Sequence, residues 1–127
     1  MKDNIFYLDW NTQKLFGSEN CKSDMVIDSI IRGIEAGDNF PPVSVYADPK
    51  VPNMFYISNA SRDSRRPTDG GHYRALGHYI ADTPLKCRLL KSKLPKSRDD
   101  CIEIPNIIIV DNFNEYLWRV NRFPNYR

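Results

Sequence analysis

The apolar positions change their period along the chain, and each change marks an element. Ile5-Phe6-Tyr7-Leu8 is a short continuous apolar run of strand type, and the polar stretch after it, with Gly17-Ser18, reads as a loop. Ile27, Ile30, Ile31 and Ile34 then fall at i, i+3, i+4 and i+7, the stripe of an amphipathic helix that Asp24 or Ser23 caps and Gly37 stops in a left-handed turn. β-Branched side chains give this helix little intrinsic propensity, so packing must hold it. Phe40-Pro41-Pro42 cannot continue a helix. Beyond it Val43, Val45 and Ala47 alternate with Ser44 and Tyr46, and Met54-Phe55-Tyr56-Ile57 follows across the turn Asp48-Pro49-Lys50-Val51-Pro52-Asn53, a pattern that predicts a hairpin.

Ser58 to Thr68 is polar, basic and without period, hence a loop. A second helix starts after Asp69-Gly70-Gly71, with Leu76, Tyr79 and Ile80 as its expected apolar face and Asp82-Thr83-Pro84 as its end. Leu85, Cys87 and Leu89 alternate with Lys86 and Arg88 in a strand whose basic members point outward. Ile102 to Val110, interrupted by Pro105, predicts one or two more strands, the later part continuous enough to be buried. Asn112 and Glu115 form a capping-box-like pair for a last helix with Phe113, Tyr116, Leu117 and Val120 on one face.

These elements predict a single α+β domain over residues 1–127, a small mixed β-sheet flanked by helices. At 12% aromatic residues the chain has enough bulk for a core without disulfides or metals. Cys21, Cys87 and Cys101 are widely spaced, with only His72 and His78 to join them, so the expectation is reduced thiols and no metal site. No apolar run approaches the roughly 20 residues that span a bilayer. The opening Met1-Lys2-Asp3-Asn4 is unlike a signal peptide, which makes a cytoplasmic protein without a membrane partner the expectation. Charge alters the picture more. Ten lysines and arginines stand against three aspartates between Arg62 and Arg98, whereas the rest of the chain has eight against thirteen acids. This concentration of positive charge suits an anionic ligand, either a nucleotide or a nucleic-acid backbone, and equally a solvated basic face.

Asp69-Gly70-Gly71-His72-Tyr73-Arg74 lies where a loop feeds a helix. Amides at a helix start lack intrahelical acceptors and point along the positive end of the dipole, so they bind phosphate. Glycines let a ligand approach the backbone, and Arg74, one turn in, can add a bidentate contact. A Gly-Gly turn before a helix also occurs as a tight turn alone. His72 can contact a phosphate, take a proton near neutral pH, or bond locally at the helix start. Tyr73 can pack, or stack on a base.

The order of a helix, Gly37-x-x-Phe40-Pro41-Pro42-Val43-x-Val45, a Tyr56-Ile57 strand, Asp69-Gly70-Gly71-His72-Tyr73-Arg74-Ala75-Leu76 and Pro84-Leu85-Lys86-Cys87 resembles the ParB/sulfiredoxin-like superfamily over roughly Ile5 to Leu90. The resemblance implies that the phosphates of a nucleoside di- or triphosphate, ATP or CTP with Mg²⁺, are received at Gly70 to Arg74. Relatives include CTP-dependent partitioning proteins, sulfiredoxin, ADP-dependent serine kinases and ParB-like nucleases, different chemistries on one scaffold. Departures narrow the choice. Gly71-His72-Tyr73-Arg74 has histidine where sulfiredoxin carries its catalytic cysteine, and about fifty residues after Arg74 are too few for the helix-turn-helix and dimerisation region of a partitioning protein. The serine kinases resemble this chain at Gly71-His72-x-Arg74 and carry a catalytic glutamate just before the first main helix, where Glu19 stands here. The stretch from Ser58 to Thr68 is longer than is usual in the family.

Three functions follow as expectations. One is a nucleotide-binding enzyme performing phosphoryl transfer or hydrolysis with Glu19 or His72. Another is a DNA- or RNA-binding or nuclease-like domain that uses Arg62, Arg65 and Arg66 within the Arg62–Arg98 basic region. The third is a regulatory module that kept the fold without chemistry.

Overall fold

The computed structural model describes residues 4–18, 21–58, 71–91 and 101–110. The chain opens with strands β1 (Ile5–Leu8), β2 (Lys14–Gly17) and β3 (Cys21–Ser23), then helix α1 (Asp24–Glu35) and the hairpin β4 (Val43–Ala47) and β5 (Met54–Ile57). Helix α2 (His72–Ile80), strand β6 (Leu85–Leu89), strand β7 (Ile102–Glu103), a 3₁₀ turn at Ile104–Asn106 and strand β8 (Ile108–Val110) follow. The architecture is α+β. The expected last helix lies outside the described residues.

Six strands form a mixed sheet in the order β1-β6-β4-β5-β2-β7, and β3 pairs with β8 in a separate parallel ladder. The hairpin is antiparallel, with Tyr46 opposite Tyr56, and its turn is tied by Asp48, whose Oδ1 accepts from Lys50 and Val51 N–H at 2.8 and 2.9 Å. β6 adds to β4 in parallel, Val43 facing Cys87, after the crossover through α2. Phe6 of β1 and Phe55 of β5 meet with ring centroids 5.0 Å apart although two strands separate them, so the sheet is curled around that face.

The core joins Leu8, Leu15, Val43, Val45, Leu85 and Cys87 of the sheet to Ala75 and Leu76 of α2, Ile27 of α1 and Ile104. Burial raises the Cys87 thiol to about 12, a shift partly offset by a hydrogen bond to the Leu8 backbone, so this cysteine packs as a small apolar group.

Several elements depart from the pattern reading. Lys14–Gly17, expected as loop, is a strand because Leu15 and Gly17 face inward at period two and β5 supplies a parallel ladder; a glycine at an inward position hides that period. On α2 the buried residues are His72, Ala75, Leu76, Gly77 and His78, whereas Tyr79 and Ile80 are exposed. Tyr79 instead meets Trp10 edge-on at 5.4 Å, and the Trp10 indole N–H bonds to Thr83 O at 2.8 Å. Ile108 and Ile109, expected in a buried strand, are exposed, since β8 lies in the two-stranded ladder and turns Val110 inward.

The two helices touch at Gly77, where an added Cβ would stand 2.5 Å from Ile30 Cγ2. Alanine there gains helix propensity of about 1 kcal/mol but overpacks the helix contact by about 1–3 kcal/mol, so the clash wins. Gly77→Ala should lower the unfolding free energy in a denaturant titration, and Ile30→Leu, which removes the offending methyl, should recover part of that loss.

Candidate functional site

Contacts between α1 and α2 advance together along both: Ser23 N–H donates to Tyr73 Oη at 3.0 Å, Gly77 lies on Ile30, and farther on the Phe40 ring meets His78 edge-on at 5.5 Å. The helices therefore run in the same sense, with both N-termini at one end. Their positive dipole ends lie at the same end of the pair, where Ser23 and Tyr73 meet.

From Gly71 to Arg74 each residue meets a different part of the chain. Gly71, the residue before α2, has φ +103 and accepts the first helical bond from Ala75 N–H at 2.9 Å; its missing side chain leaves room for Val43, whose methyls would stand 2.8 and 2.9 Å from a Cβ. Glycine is required there twice over, by backbone conformation and by space. His72 is fully buried and its Nε2 accepts from Ser18 N–H at 2.9 Å, which places the proton on Nδ1. A Cβ on Gly17 would strike this ring at 2.4 Å. His72 thus fastens the end of β2 to α2, and its Nε2 lone pair is engaged there. Its bond is long-range rather than local to the helix start.

Tyr73 meets the start of α1 through Ser23, and Lys22 Nζ lies 4.5 Å from its ring centroid, a cation–π contact made by a lysine 1% exposed. Arg74 Nη1 donates to Pro41 O at 2.6 Å and to Pro42 O at 3.3 Å, holding the turn that feeds β4. Helix α2 has no side-chain cap and no acid in its first turn.

Of the other residues singled out, Glu19, Asp69, Gly70, Arg62, Arg65 and Arg66 lie outside the described residues. Lys22 and Ser18 carried no sequence signal. Ser23 was legible as a cap, yet its hydroxyl makes no capping bond. Among the described residues no three His, Cys, Asp or Glu side chains gather as for a metal, and no helix is long and apolar enough to cross a membrane.

At the far end of α2 a hollow of about 200 Å³ is walled by Tyr7, Phe40, Pro41, His78, Pro84 and Lys86. His78 Nδ1 lies 2.6 Å from Arg74 O, and since a carbonyl only accepts, Nδ1 carries the proton. Burial, the largest cause, with the nearby Arg74 charge, holds His78 below its ordinary 6.5 against the opposing bond to the Arg74 carbonyl.

The chain matches no protein-family model, no curated protein and no solved structure.

Gly71→Ala should cost about 1–3 kcal/mol for the backbone alone and more once Val43 is displaced, read as a fall in the denaturation midpoint. Because the native state favours neutral His78, its contribution is complete above pH 6.5 and is lost as pH falls below that toward the folded value. Melting temperature should therefore fall between pH 7.5 and 5.5 more steeply in the native sequence than in His78→Asn, which retains a donor for the Arg74 carbonyl; equal slopes would remove His78 from the acid response.

Proposed function

We propose that this chain is a nucleotide-binding domain of the ParB/sulfiredoxin type, with the phosphates of ATP or CTP, accompanied by Mg²⁺, at the Gly70–Arg74 start of α2. The observation that carries the reading is the end geometry of the helices: α2 begins on an uncapped left-handed glycine with no acid in its first turn, parallel to α1, beside Arg74. Two dipole ends and an arginine favour a multiply charged anion over a neutral ligand. The mixed sheet with two helices agrees with this scaffold at the level of class.

Where a phosphoryl group is transferred or hydrolysed, Glu19 is the acid–base residue of this proposal. His72 acts as a positioning residue, because its ring is buried and its Nε2 already accepts a backbone N–H. The concentration of basic residues between Arg62 and Arg98 favours a second reading, DNA or RNA bound or cut at Arg62, Arg65 and Arg66.

Melting curves with ATP, ADP, CTP and GTP, each with Mg²⁺, test the first reading. A nucleotide at about a hundred times its Kd should raise the melting temperature by roughly 5–10 °C. Arg74→Ala should abolish the shift and also lower the unliganded value, through loss of the Pro41 bond; Arg74→Lys keeps a point charge and should retain a reduced shift. Glu19→Gln should keep the shift and slow any turnover by about 10²–10⁴-fold. No shift with any nucleotide overturns this reading. Binding of a labelled oligonucleotide that weakens steeply with salt, and further in Arg65→Ala with Arg66→Ala, would then carry the second.

A further inference from the structure

At the start of α1 two neighbouring side-chain oxygens are buried without hydrogen bonds, Ser23 Oγ and Asp24 Oδ1. Ser23 is 1% exposed and has the extended backbone of an N-cap, φ −79 and ψ 131, yet its hydroxyl caps nothing. A serine so placed ordinarily accepts from the first-turn amides. Left unbonded out of water, such a group costs about 1–3 kcal/mol, and an unbonded carboxylate oxygen more. A fold that only needed a helix start would satisfy the hydroxyl or replace it.

The surroundings state which ligand would satisfy both atoms. The start of α1 adjoins the start of α2 through the Ser23 N–H to Tyr73 Oη bond, and Lys22, buried one residue before Ser23, lies over the same Tyr73 ring. Two helix dipoles and an ammonium favour an anion. A carboxylate oxygen disfavours a bare anion, but one bridged by a hard cation meets both demands. Mg²⁺ takes oxygen ligands, typically one or two carboxylates plus phosphate oxygens, and a serine hydroxyl beside an aspartate is a fitting set for a metal-bound phosphate.

We infer that Ser23 and Asp24 form a Mg²⁺–phosphate subsite at the start of α1, so that a di- or triphosphate lies across both helix N-termini, with Asp24 Oδ1 on the cation and Ser23 Oγ on the cation or a phosphate oxygen. This inference rests on the nucleotide reading of α2 for the identity of the phosphate and adds a second anchor of different chemistry. The Ser23–Tyr73 bond between the helix starts is the contact that the incoming phosphate exchanges for its own.

Ser23→Ala and Asp24→Asn test it through effects of opposite sign. Ser23→Ala removes an unbonded buried oxygen and should leave the unliganded melting temperature equal to or above that of the native protein. ADP and ATP affinity, measured by calorimetry, should fall about tenfold in Mg²⁺ in both variants, the size of one lost charge-assisted bond, and in EDTA Asp24→Asn should show no such fall. Mn²⁺ alone and Mn²⁺ with inorganic phosphate, followed by electron paramagnetic resonance, probe the same subsite without a nucleotide, and both variants should lose that binding. If nucleotides bind and their Mg²⁺-dependent gain survives in both variants, the subsite is overturned and the α2 reading stands. If no nucleotide binds but Mn²⁺ with phosphate does, and is lost in the variants, the subsite stands and the nucleotide reading falls. If neither probe binds the native protein, both fall, and a lower melting temperature in Ser23→Ala would show the hydroxyl to be structural.

Discussion

The contact of Gly71 with Val43 is the constraint on which the rest depends. It fixes the point where the chain turns into α2 directly on the first residue of β4, at a spacing that admits no side chain. From that point the next three residues are aimed by helical geometry: His72 to the end of β2, Tyr73 to the start of α1, Arg74 to the turn before β4. One helical turn thus ties three segments far apart in sequence. A displacement of that glycine by an ångström would disturb all three bonds at once, because a helix moves as a unit and side-chain reach is short.

The same economy gives the site its character. Residues that suggest chemistry from sequence, His72 and Arg74, already have partners in the fold, His72 in the Ser18 amide and Arg74 in the Pro41 and Pro42 carbonyls. Lys22, 1% exposed, packs its ammonium over the Tyr73 ring and so adds to the same junction of α1 with α2.

Much of the fold was legible where one physical signal dominated. The isoleucine stripe located α1, and Gly37, with φ +82, closed it as its composition required. Alternation found β4, and the apolar run Met54–Ile57 found β5. Legibility failed where the buried surface was not apolar. α2 buries two histidines and a glycine, so hydropathy chose Tyr79 and Ile80 for an inward face that they do not occupy. β2 hid behind Gly17, whose missing side chain is the space that His72 fills. In the site, glycine and arginine spacing identified the α2 start, but nothing in composition marks a lysine as buried or a serine hydroxyl as unbonded, since both follow from how α1 meets α2.

The strand order also bears on how the chain is made. In the sheet centre the β4–β5 hairpin closes locally, whereas β1 pairs with β6, Ile5 opposite Arg88, and β2 with β5, Phe16 opposite Tyr56. On a ribosome, which releases the N-terminal side first, β1 emerges with its ladder bonds unmade until β6 arrives, and β2 gains β5 earlier but waits for β7, Phe16 opposite Glu103, to cover its other edge. Tyr7, still exposed in the finished fold, and Lys14 beside Leu15 put bulk and charge on those waiting edges. Of the strands described, the earliest synthesised are therefore among the last to be secured, and the interval before β6 and β7 appear leaves their edges open to pairing with a neighbouring nascent chain.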